Sequence, residues 1–174
     1  MKLYLARHGE STSNTSNLVC GHSDVELTEK GIRQAKILAQ EIEELKVDKI
    51  ISSPLVRADM TAKIIADYNK LPHYIDERLL EFDFGTYEGR KVDDNEFLEF
   101  RNQLSHKMPE GESVLEAAQR IYNLLDQIKE DDEVVLLVCH NAISRVINSY
   151  FYSLSNEDFF EFNLNNCELV SYEY

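Results

Sequence analysis

The stretch VVLLVC at residues 134–139 is the most informative part of this 174-residue sequence for the fold. An unbroken apolar run of this length, between a charged residue and a histidine, is typical of a strand buried on both faces, as at the centre of a parallel sheet. We therefore predict a core strand over Glu133–Cys139. Apolar residues return at helical spacing from His140 to Phe151, which predicts a helix directly after that strand.

Two similar strand–helix pairs precede the core strand. Short apolar runs predict strands at Leu3–Ala6 and Lys49–Ser52. After the first comes an amphipathic helix that begins behind the N-cap residue Thr28, and after the second comes another helix with Pro54 near its start. Strands that alternate with helices predict an α/β fold, here a three-layer sandwich with a largely parallel central sheet and helices on both faces.

The remaining segments are assigned from local signals. Ser113 and Glu116 form a capping box that predicts the start of a further helix. The segment Glu81–Arg101 is expected to be loop with some helix, whereas the aromatic tail Phe159–Tyr174 predicts one or two closing strands. The length and the absence of repeats or linkers predict one domain over residues 1–174.

Composition narrows the classes of function. The chain has 18 basic and 32 acidic residues and a formal net charge of −14, which opposes binding to nucleic acid. Any anion site therefore needs a local cluster of cations and helix N-termini. The three cysteines are odd in number and form no CxxC pair, which favours a reducing, cytoplasmic location, and we expect no export signal and no membrane partner.

Polar residues follow three of the predicted strands, at the positions where an α/β sheet forms its ligand sites. They are Arg7-His8-Gly9-Glu10, residues 53–57 and His140-Asn141. Two arginines can hold the oxygens of a phosphate with their planar forks, and two histidines offer a nucleophile and a hydrogen-bond donor. These residues predict a phosphate site at one edge of the sheet.

Four strings in these segments resemble the motifs of the histidine phosphatase superfamily, which includes the phosphoglycerate mutases. They are RHGES at 7–11, SSPLVRA at 52–58, LLEFDFG at 79–85 and VCHNA at 138–142. The similarity continues through LTEKGIRQA at 27–35 and PEGES at 109–113, so that it covers most of the chain in the order of the family. Each motif alone is weak, and their joint order carries the inference.

The resemblance implies a role for each matched residue. His8 is the expected nucleophile, which becomes a phosphohistidine, while Arg7, Arg57 and His140 hold the phosphoryl oxygens. Glu81 is the expected proton donor to the leaving group, and it then takes a proton from the attacking water. Because two guanidiniums can neutralise the charge of the transferred group, we expect neither a metal nor a cofactor.

Other positions are matched less directly. By resemblance, Asn14 and Gly21 line the phosphate loop, and Asn141 replaces a glycine that is usual in the family, so its side chain or N–H is expected to face the substrate. Cys20 stands where relatives often have Gln, Ser or Thr, which predicts a weaker polar contact with phosphate. Three further histidines are expected to be structural or exposed: His22, His73 and His106.

The resemblance leaves alternatives open. EFDFGTYEG and PEGES look like the branch of α-ribazole phosphatases, broad-specificity phosphatases and fructose-2,6-bisphosphatases, so we expect hydrolysis of a small phosphorylated metabolite. A phosphoglycerate mutase would need extra basic residues after the Glu81 motif, where Arg90 and Lys91 precede an acidic patch. The chain has no HExxH-type motif, which argues against a metal-dependent hydrolase. An inactive binding module would not be expected to keep every matched catalytic residue. The expected assembly is a monomer or homodimer.

Overall fold

The computed structural model describes residues 2–174 and contains a five-stranded sheet in the order β3-β2-β4-β1-β5. Its strands are β1 Lys2–Arg7, β2 Lys49–Ser52, β3 His73–Ile75, β4 Val135–Cys139 and β5 Leu169–Glu173. The first four are parallel, and β5 runs antiparallel to β1. All five residues of β4 are buried between β1 and β2, which confirms the predicted core strand.

Seven α-helices in the described residues surround the sheet. They are α1 Thr12–Ser16, α2 Glu29–Glu43, α3 Val56–Asn69, α4 Asn95–Arg101, α5 Val114–Lys129, α6 Asn141–Phe151 and α7 Asn156–Glu161. Two short 3-10 turns, Glu77–Leu79 and Gly85–Tyr87, lie between β3 and α4. No helix within residues 2–174 is long and apolar enough to cross a membrane.

The two faces of the sheet carry separate hydrophobic clusters. Alternate residues of a strand point to opposite faces, so Tyr4 and Ala6 pack with the apolar sides of α2 and α3, whereas Leu3 and Leu5 pack with those of α5 and α6. Helices therefore cover both faces of a mostly parallel sheet. The predicted three-layer α/β sandwich is confirmed.

The predicted helix starts rest on specific caps. Thr28 accepts a hydrogen bond from the Gly31 N–H at 3.0 Å, which satisfies one free donor at the start of α2. The Ser113 hydroxyl accepts from the Glu116 N–H at 3.2 Å, and the Glu116 carboxylate accepts from the Ser113 N–H at 2.8 Å. This is the capping box expected from the sequence.

The prediction for the tail is only partly right. Phe159–Glu161 belongs to α7 and not to a strand, because Ser155 and Asp158 form a capping box that starts a helix there, and Phe159 packs into the core. The second half of the tail does form a closing strand, β5. A further helix, α1, lies in the polar stretch after β1, and no apolar periodicity in the sequence predicts it.

Candidate active site

The three polar strand exits meet at one edge of the sheet. The parallel register pairs Arg7 with Cys139 and Ser52 with Val138, so β1, β2 and β4 end at the same level. The His8 N–H donates to the Cys139 carbonyl at 2.9 Å, which holds His8 beside the end of β4. The rings of His8 and His140 consequently lie with their centroids 5.2 Å apart.

A cavity of about 140 Å³ opens at this edge. Six residues that the sequence assigned to the site line it: Arg7, His8, Asn14, Arg57, Glu81 and Asn141. Further lining residues are Ser13, Leu18, Val19, Cys20, Phe84, Val92, Phe97, Arg101, Ala142 and Arg145. Because pockets for drug-sized ligands measure ~300–1,000 Å³, this cavity suits a small ligand.

His8 has a defined proton arrangement. Its Nδ1 lies 2.7 Å from the Gly9 carbonyl oxygen, which can only accept, so Nδ1 carries the proton and donates it. The Nε2 atom of the neutral ring therefore keeps a free lone pair. Burial lowers the pKa of His8 well below its usual value, and the nearby charges of Arg57 and Arg7 lower it further. The neutral, nucleophilic form is thus the stable one.

His140 lies beside His8 and is also fully buried. Burial, followed by the charge of Arg57, lowers its pKa well below the usual value. Its Nε2 forms a hydrogen bond of 2.8 Å with the Ser53 hydroxyl, whereas its Nδ1 has no hydrogen-bond partner within residues 2–174. A buried, unpaired ring nitrogen is costly unless a ligand completes its hydrogen bonding.

Backbone carbonyls orient the guanidinium of Arg57. Its Nη1 donates to the carbonyl of Ser23 at 2.9 Å and its Nη2 to that of Gly21 at 2.7 Å. Only 1% of Arg57 is exposed, although it lies in the first turn of a helix. Neutral acceptors fix the direction of this fork without cancelling its charge, so the charge stays available to an anion.

Arg7 is held in a comparable way at the other side of His8. Its Nη1 donates to the carbonyl of Leu164 at 2.6 Å, and its buried Nε has no partner within the described residues. Burial is the main cause that lowers the pKa of Arg7 from its usual value, and Arg57 acts in the same direction. Two guanidiniums therefore line the same small cavity, and that of Arg7 keeps an unpaired donor.

Glu81 contacts the start of α6. Its carboxylate accepts from the N–H groups of Phe82 at 2.8 Å, Ile143 at 3.1 Å and Ala142 at 3.2 Å. A helix N-terminus has unpaired N–H groups and a partial positive charge, and both stabilise a carboxylate. The side chain is buried yet lines the cavity, so Glu81 lies within the same site as His8.

The carboxylate of Glu88 organises the loop that carries these Arg57 acceptors. It accepts from the N–H groups of Gly21 at 2.8 Å and His22 at 3.2 Å and from the Ser23 hydroxyl at 2.7 Å. A side chain at residue 21 would collide with the Phe82 carbonyl and with Glu88 itself, so glycine is required there. Sequence reasoning did not identify Glu88.

The other residues assigned from the sequence have mixed placements. Gly21 does not line the cavity, because its N–H binds Glu88 and its carbonyl binds Arg57. Asn14 and Asn141 both line it, but the Asn141 side chain is already bonded to Asn163 and to the Leu164 N–H. Cys20 lines the cavity as well, and its thiol bonds to the Ser23 carbonyl.

The three histidines expected to be structural or exposed lie outside the lining of the cavity. His22 bonds to the Glu81 carbonyl and His73 to the Ser52 hydroxyl, while His106 packs its ring on Phe100. Within residues 2–174, no group of three or more His, Cys, Asp or Glu side chains is arranged to hold a metal ion.

Two arginines in the cavity were not assigned to the site from the sequence. Arg101 ends α4 and Arg145 lies in the second turn of α6, and both line the cavity. Neither belongs to a quoted motif, and neither is close in sequence to the other arginines of the site. The only available signal was the position of Arg145 five residues after His140, on the helix that starts at the site.

Comparison with known proteins agrees with the fold. The chain matches the model of the histidine phosphatase superfamily (branch 1) over residues 3–174. It is 36% identical to "Probable phosphoglycerate mutase GpmB" of Yersinia pestis, over 100% of this chain and 85% of the relative.

Two solved structures superpose closely on this chain. The alpha-ribazole phosphatase from Shigella flexneri has a TM-score of 0.85 at 27% identity, over 98% of this chain and 89% of that one. YhfR from Bacillus stearothermophilus has a TM-score of 0.88 at 28% identity, over 99% and 90%. Similar proteins thus carry both phosphatase and mutase names. This chain belongs to branch 1 of the histidine phosphatase superfamily.

Proposed function

We propose that this protein is a phosphomonoesterase that hydrolyses a small phosphorylated metabolite through a phosphohistidine on His8. The observation that best supports this is the hydrogen bond from His8 Nδ1 to the Gly9 carbonyl. It leaves Nε2 as a neutral nucleophile in a cavity with Arg7 and Arg57. Phosphoryl transfer needs mainly this kind of positioning and charge neutralisation.

In the first step, the Nε2 lone pair of His8 forms a bond to phosphorus, and the bond from phosphorus to the ester oxygen breaks. The departing oxygen keeps the electron pair and takes a proton from the Glu81 carboxyl group. Arg7, Arg57 and His140 bind the three equatorial oxygens as their charge redistributes. His140 can donate from Nδ1 if the Ser53 hydroxyl donates to its Nε2.

In the second step, water attacks the phosphohistidine. The Glu81 carboxylate takes a proton from that water, the bond between phosphorus and Nε2 breaks, and the electron pair returns to His8. The contacts of Glu81 with three N–H groups suit this carboxylate form. For the first step Glu81 must bind a proton, and we propose that the dianionic substrate favours its protonation.

The same arrangement supports catalysis without a metal. Arg7 and Arg57 carry permanent charges, and their forks can bind two phosphoryl oxygens at once. This is the role that a divalent cation has in many other phosphoryl-transfer enzymes. We therefore propose that the reaction is independent of added metal and resists chelators.

A mutase reaction is the second candidate, and the name of the 36% identical relatives favours it. A phosphoglycerate mutase would pass the phosphoryl group from His8 to a second hydroxyl instead of to water. Both reactions share the first step, so they differ in the acceptor. The basic residues of the cavity do not separate the two reactions, so we prefer hydrolysis because a superposed structure is that of an alpha-ribazole phosphatase and no adjacent arginine pair occurs between Glu81 and Pro109.

The test measures phosphate release from p-nitrophenyl phosphate in EDTA and the products formed from 3-phosphoglycerate with 2,3-bisphosphoglycerate. We expect phosphate release that survives EDTA, a phosphoenzyme that is stable in alkali and labile in acid, and little 2-phosphoglycerate. His8→Ala should lower kcat/KM by at least about a thousandfold. His106→Ala removes a histidine outside the cavity and serves as the matched control.

Each alternative outcome has a clear meaning. Loss of activity in EDTA would indicate a metal-dependent hydrolase, and interconversion of phosphoglycerates faster than phosphate release would indicate a mutase. Undiminished activity in His8→Ala would eliminate the phosphohistidine mechanism.

A further inference from the structure

The eight arginines of the sequence fall into two equal groups. In the described residues, four have a carboxylate within 4.0 Å: Arg33, Arg78, Arg90 and Arg120. The other four have no such partner within residues 2–174, and all of them line the cavity beside His8: Arg7, Arg57, Arg101 and Arg145. The cationic groups without an acidic partner are thus concentrated in one place.

This concentration contrasts with the composition of the chain. The protein has 32 acidic residues, yet Glu81 is the one acidic side chain in the described lining of the cavity. Its carboxylate is already bonded to three backbone N–H groups. Four guanidiniums therefore exceed what the cavity itself can neutralise, and they exceed what one phosphoryl group needs, since Arg7 and Arg57 already line the cavity with His8.

Arg145 is a buried cation with spare donors. Only 8% of it is exposed, and its Nε donates to the Phe162 carbonyl at 2.9 Å. Its two Nη atoms have no hydrogen-bond partner within residues 2–174, whereas both Nη atoms of Arg57 do. Burial, followed by the charge of Arg101, lowers the pKa of Arg145 to about 10. The charge of an anion bound between the two arginines would counteract both effects on the pKa of Arg145.

The surroundings of Arg101 and Arg145 are apolar. Both residues also line a second, small cavity whose other walls are Phe82, Phe84, Met108, Val114, Ala142, Val146, Phe159 and Phe160. Charge interactions are stronger in such surroundings because water screens them less. Four residues line both cavities and therefore lie between the two cavities: Phe84, Arg101, Ala142 and Arg145.

We propose that Arg101 and Arg145 bind a second anionic group of the substrate, a carboxylate or a further phosphate, on the side of the leaving group. The proposal deepens the proposed function, because it takes Arg7 and Arg57 to hold the phosphoryl group that reacts. It narrows the substrate to a small phosphomonoester with a second oxyanion a few bonds away. The sequence alone did not reveal this basic pair, since Arg101 and Arg145 lie on different helices.

The test measures binding and not turnover, so that it does not depend on catalysis. Phosphonoacetate, 3-phosphonopropionate and 4-phosphonobutyrate place a carboxylate at increasing distance from a phosphonate that cannot be hydrolysed. Each is compared with its neutral carboxamide by titration calorimetry, and methylene-, ethylene- and propylene-bisphosphonate replace the carboxylate by a second phosphonate. The preference for a second charge is the ratio of the Kd of the amide to that of the charged compound.

We expect a preference of about tenfold or more at one chain length, as is usual for hydrogen bonds to a charged group. Arg101→Met and Arg145→Met should each reduce it below about threefold, whereas Arg90→Met, which removes a cation outside the cavity, should keep it. Arg145→Lys retains the charge and loses the fork, so an intermediate preference is expected. Arg101 lies on the partly exposed α4, so Arg101→Met still tests the proposal if Arg145→Met fails to fold.

The outcomes separate this proposal from the function. Equal binding of charged and neutral compounds at every length, or a preference that survives both methionine variants, would overturn the second anion site even if the enzyme hydrolyses p-nitrophenyl phosphate. Conversely, a preference that depends on Arg101 and Arg145 in a protein that releases no phosphate would keep the site and refute the phosphatase. A preference only for bisphosphonates would identify the second group as a phosphate.

Discussion

The two ends of the cavity are built in different ways. At the phosphate end, Arg7, His8 and Arg57 follow parallel strands whose register places them together, and backbone groups fix each one. At the leaving-group end, Arg101 and Arg145 come from two helices with an apolar wall, and the guanidinium of Arg145 has free donors. The side chains at the first end are fixed by backbone hydrogen bonds, whereas those at the second are placed by the packing of helices.

This difference separates the side chains that the sheet holds from those that helices hold. The backbone of a parallel sheet holds the reacting groups, so substitutions elsewhere leave their geometry intact. Helix residues at the far wall can vary without disturbing that sheet. Three predictions test this difference between the two ends, beginning with the largest expected effect.

Glu81 lies where the two ends meet, because it lines the cavity and contacts the helix that also carries Arg145. Glu81→Gln cannot supply a proton to the leaving oxygen, so kcat/KM for an alkyl phosphate should fall about 10²–10⁴-fold. The loss should be clearly smaller for p-nitrophenyl phosphate, since nitrophenolate departs without a proton. Steady-state kinetics with both substrates measure the difference.

A merely structural role for Glu81 would give a different result. If the substitution only disturbs the start of α6, kcat/KM should fall by the same factor for both substrates. Equal losses would therefore contradict the assignment of Glu81 as the proton donor.

Glu88 tests this difference, because it lies in the segment Glu81–Arg101, outside the strand exits, yet holds the loop that orients Arg57. Glu88→Ala should lower kcat/KM for p-nitrophenyl phosphate about 10–100-fold, as expected when a phosphate-binding group is misplaced by about 1 Å. The inhibition constant of inorganic phosphate should rise with it. Glu88→Gln, which keeps one acceptor oxygen, should recover part of the loss.

The matched control for Glu88 is Glu96→Ala. Glu96 is a carboxylate of the same segment, but it contacts Arg90 and Tyr87 and not the loop at residues 20–23. If both alanine variants lose activity equally, Glu88 acts through the stability of the segment and not through Arg57.

The third prediction concerns burial at the phosphate end. Burial lowers the pKa of His8 and of His140, so below about pH 6.5 the unfolded chain binds protons that the folded chain does not. The free energy of unfolding should therefore fall by about 1.4 kcal/mol in total for each such histidine as pH decreases from 7.5 to 5.5, with the steepest slope below pH 6.5. Urea unfolding at several pH values measures this slope.

His8→Asn isolates the contribution of one residue. The variant should lose less stability between pH 6.5 and 5.5 than the parent does, whatever its stability at neutral pH. An unchanged slope would mean that His8 takes up a proton in the folded state like an exposed histidine, and would contradict the lowered pKa of His8.

Much of the phosphate end could be predicted because its signals are local. The apolar run of β4, the N-cap Thr28 and the capping box at Ser113 each specify structure within a few residues, and the strand exits carry the reactive groups. The tail prediction was wrong at Phe159–Glu161, since aromatic residues favour strands but the cap at Ser155 favours a helix there.

The leaving-group end could not be predicted because its contacts depend on packing between distant segments. Nothing near Arg101 in the sequence indicates that it lines the same cavity as Arg145. Gly21 shows the same limit, since sequence similarity assigned it to the phosphate loop while its N–H and carbonyl are both bonded within the protein. Such roles follow from three-dimensional contacts and not from residue type.

Arg7 depends on the carbonyl of Leu164, which lies 157 positions further along the chain. Contacts at such sequence separation form only after the intervening chain has been ordered, and they slow folding. A growing chain on the ribosome therefore has no complete anion pocket until the segment that carries Leu164 has been made and docked. Oxyanions can stabilise only the finished protein, by mass action on the native state, and their binding marks the completion of folding.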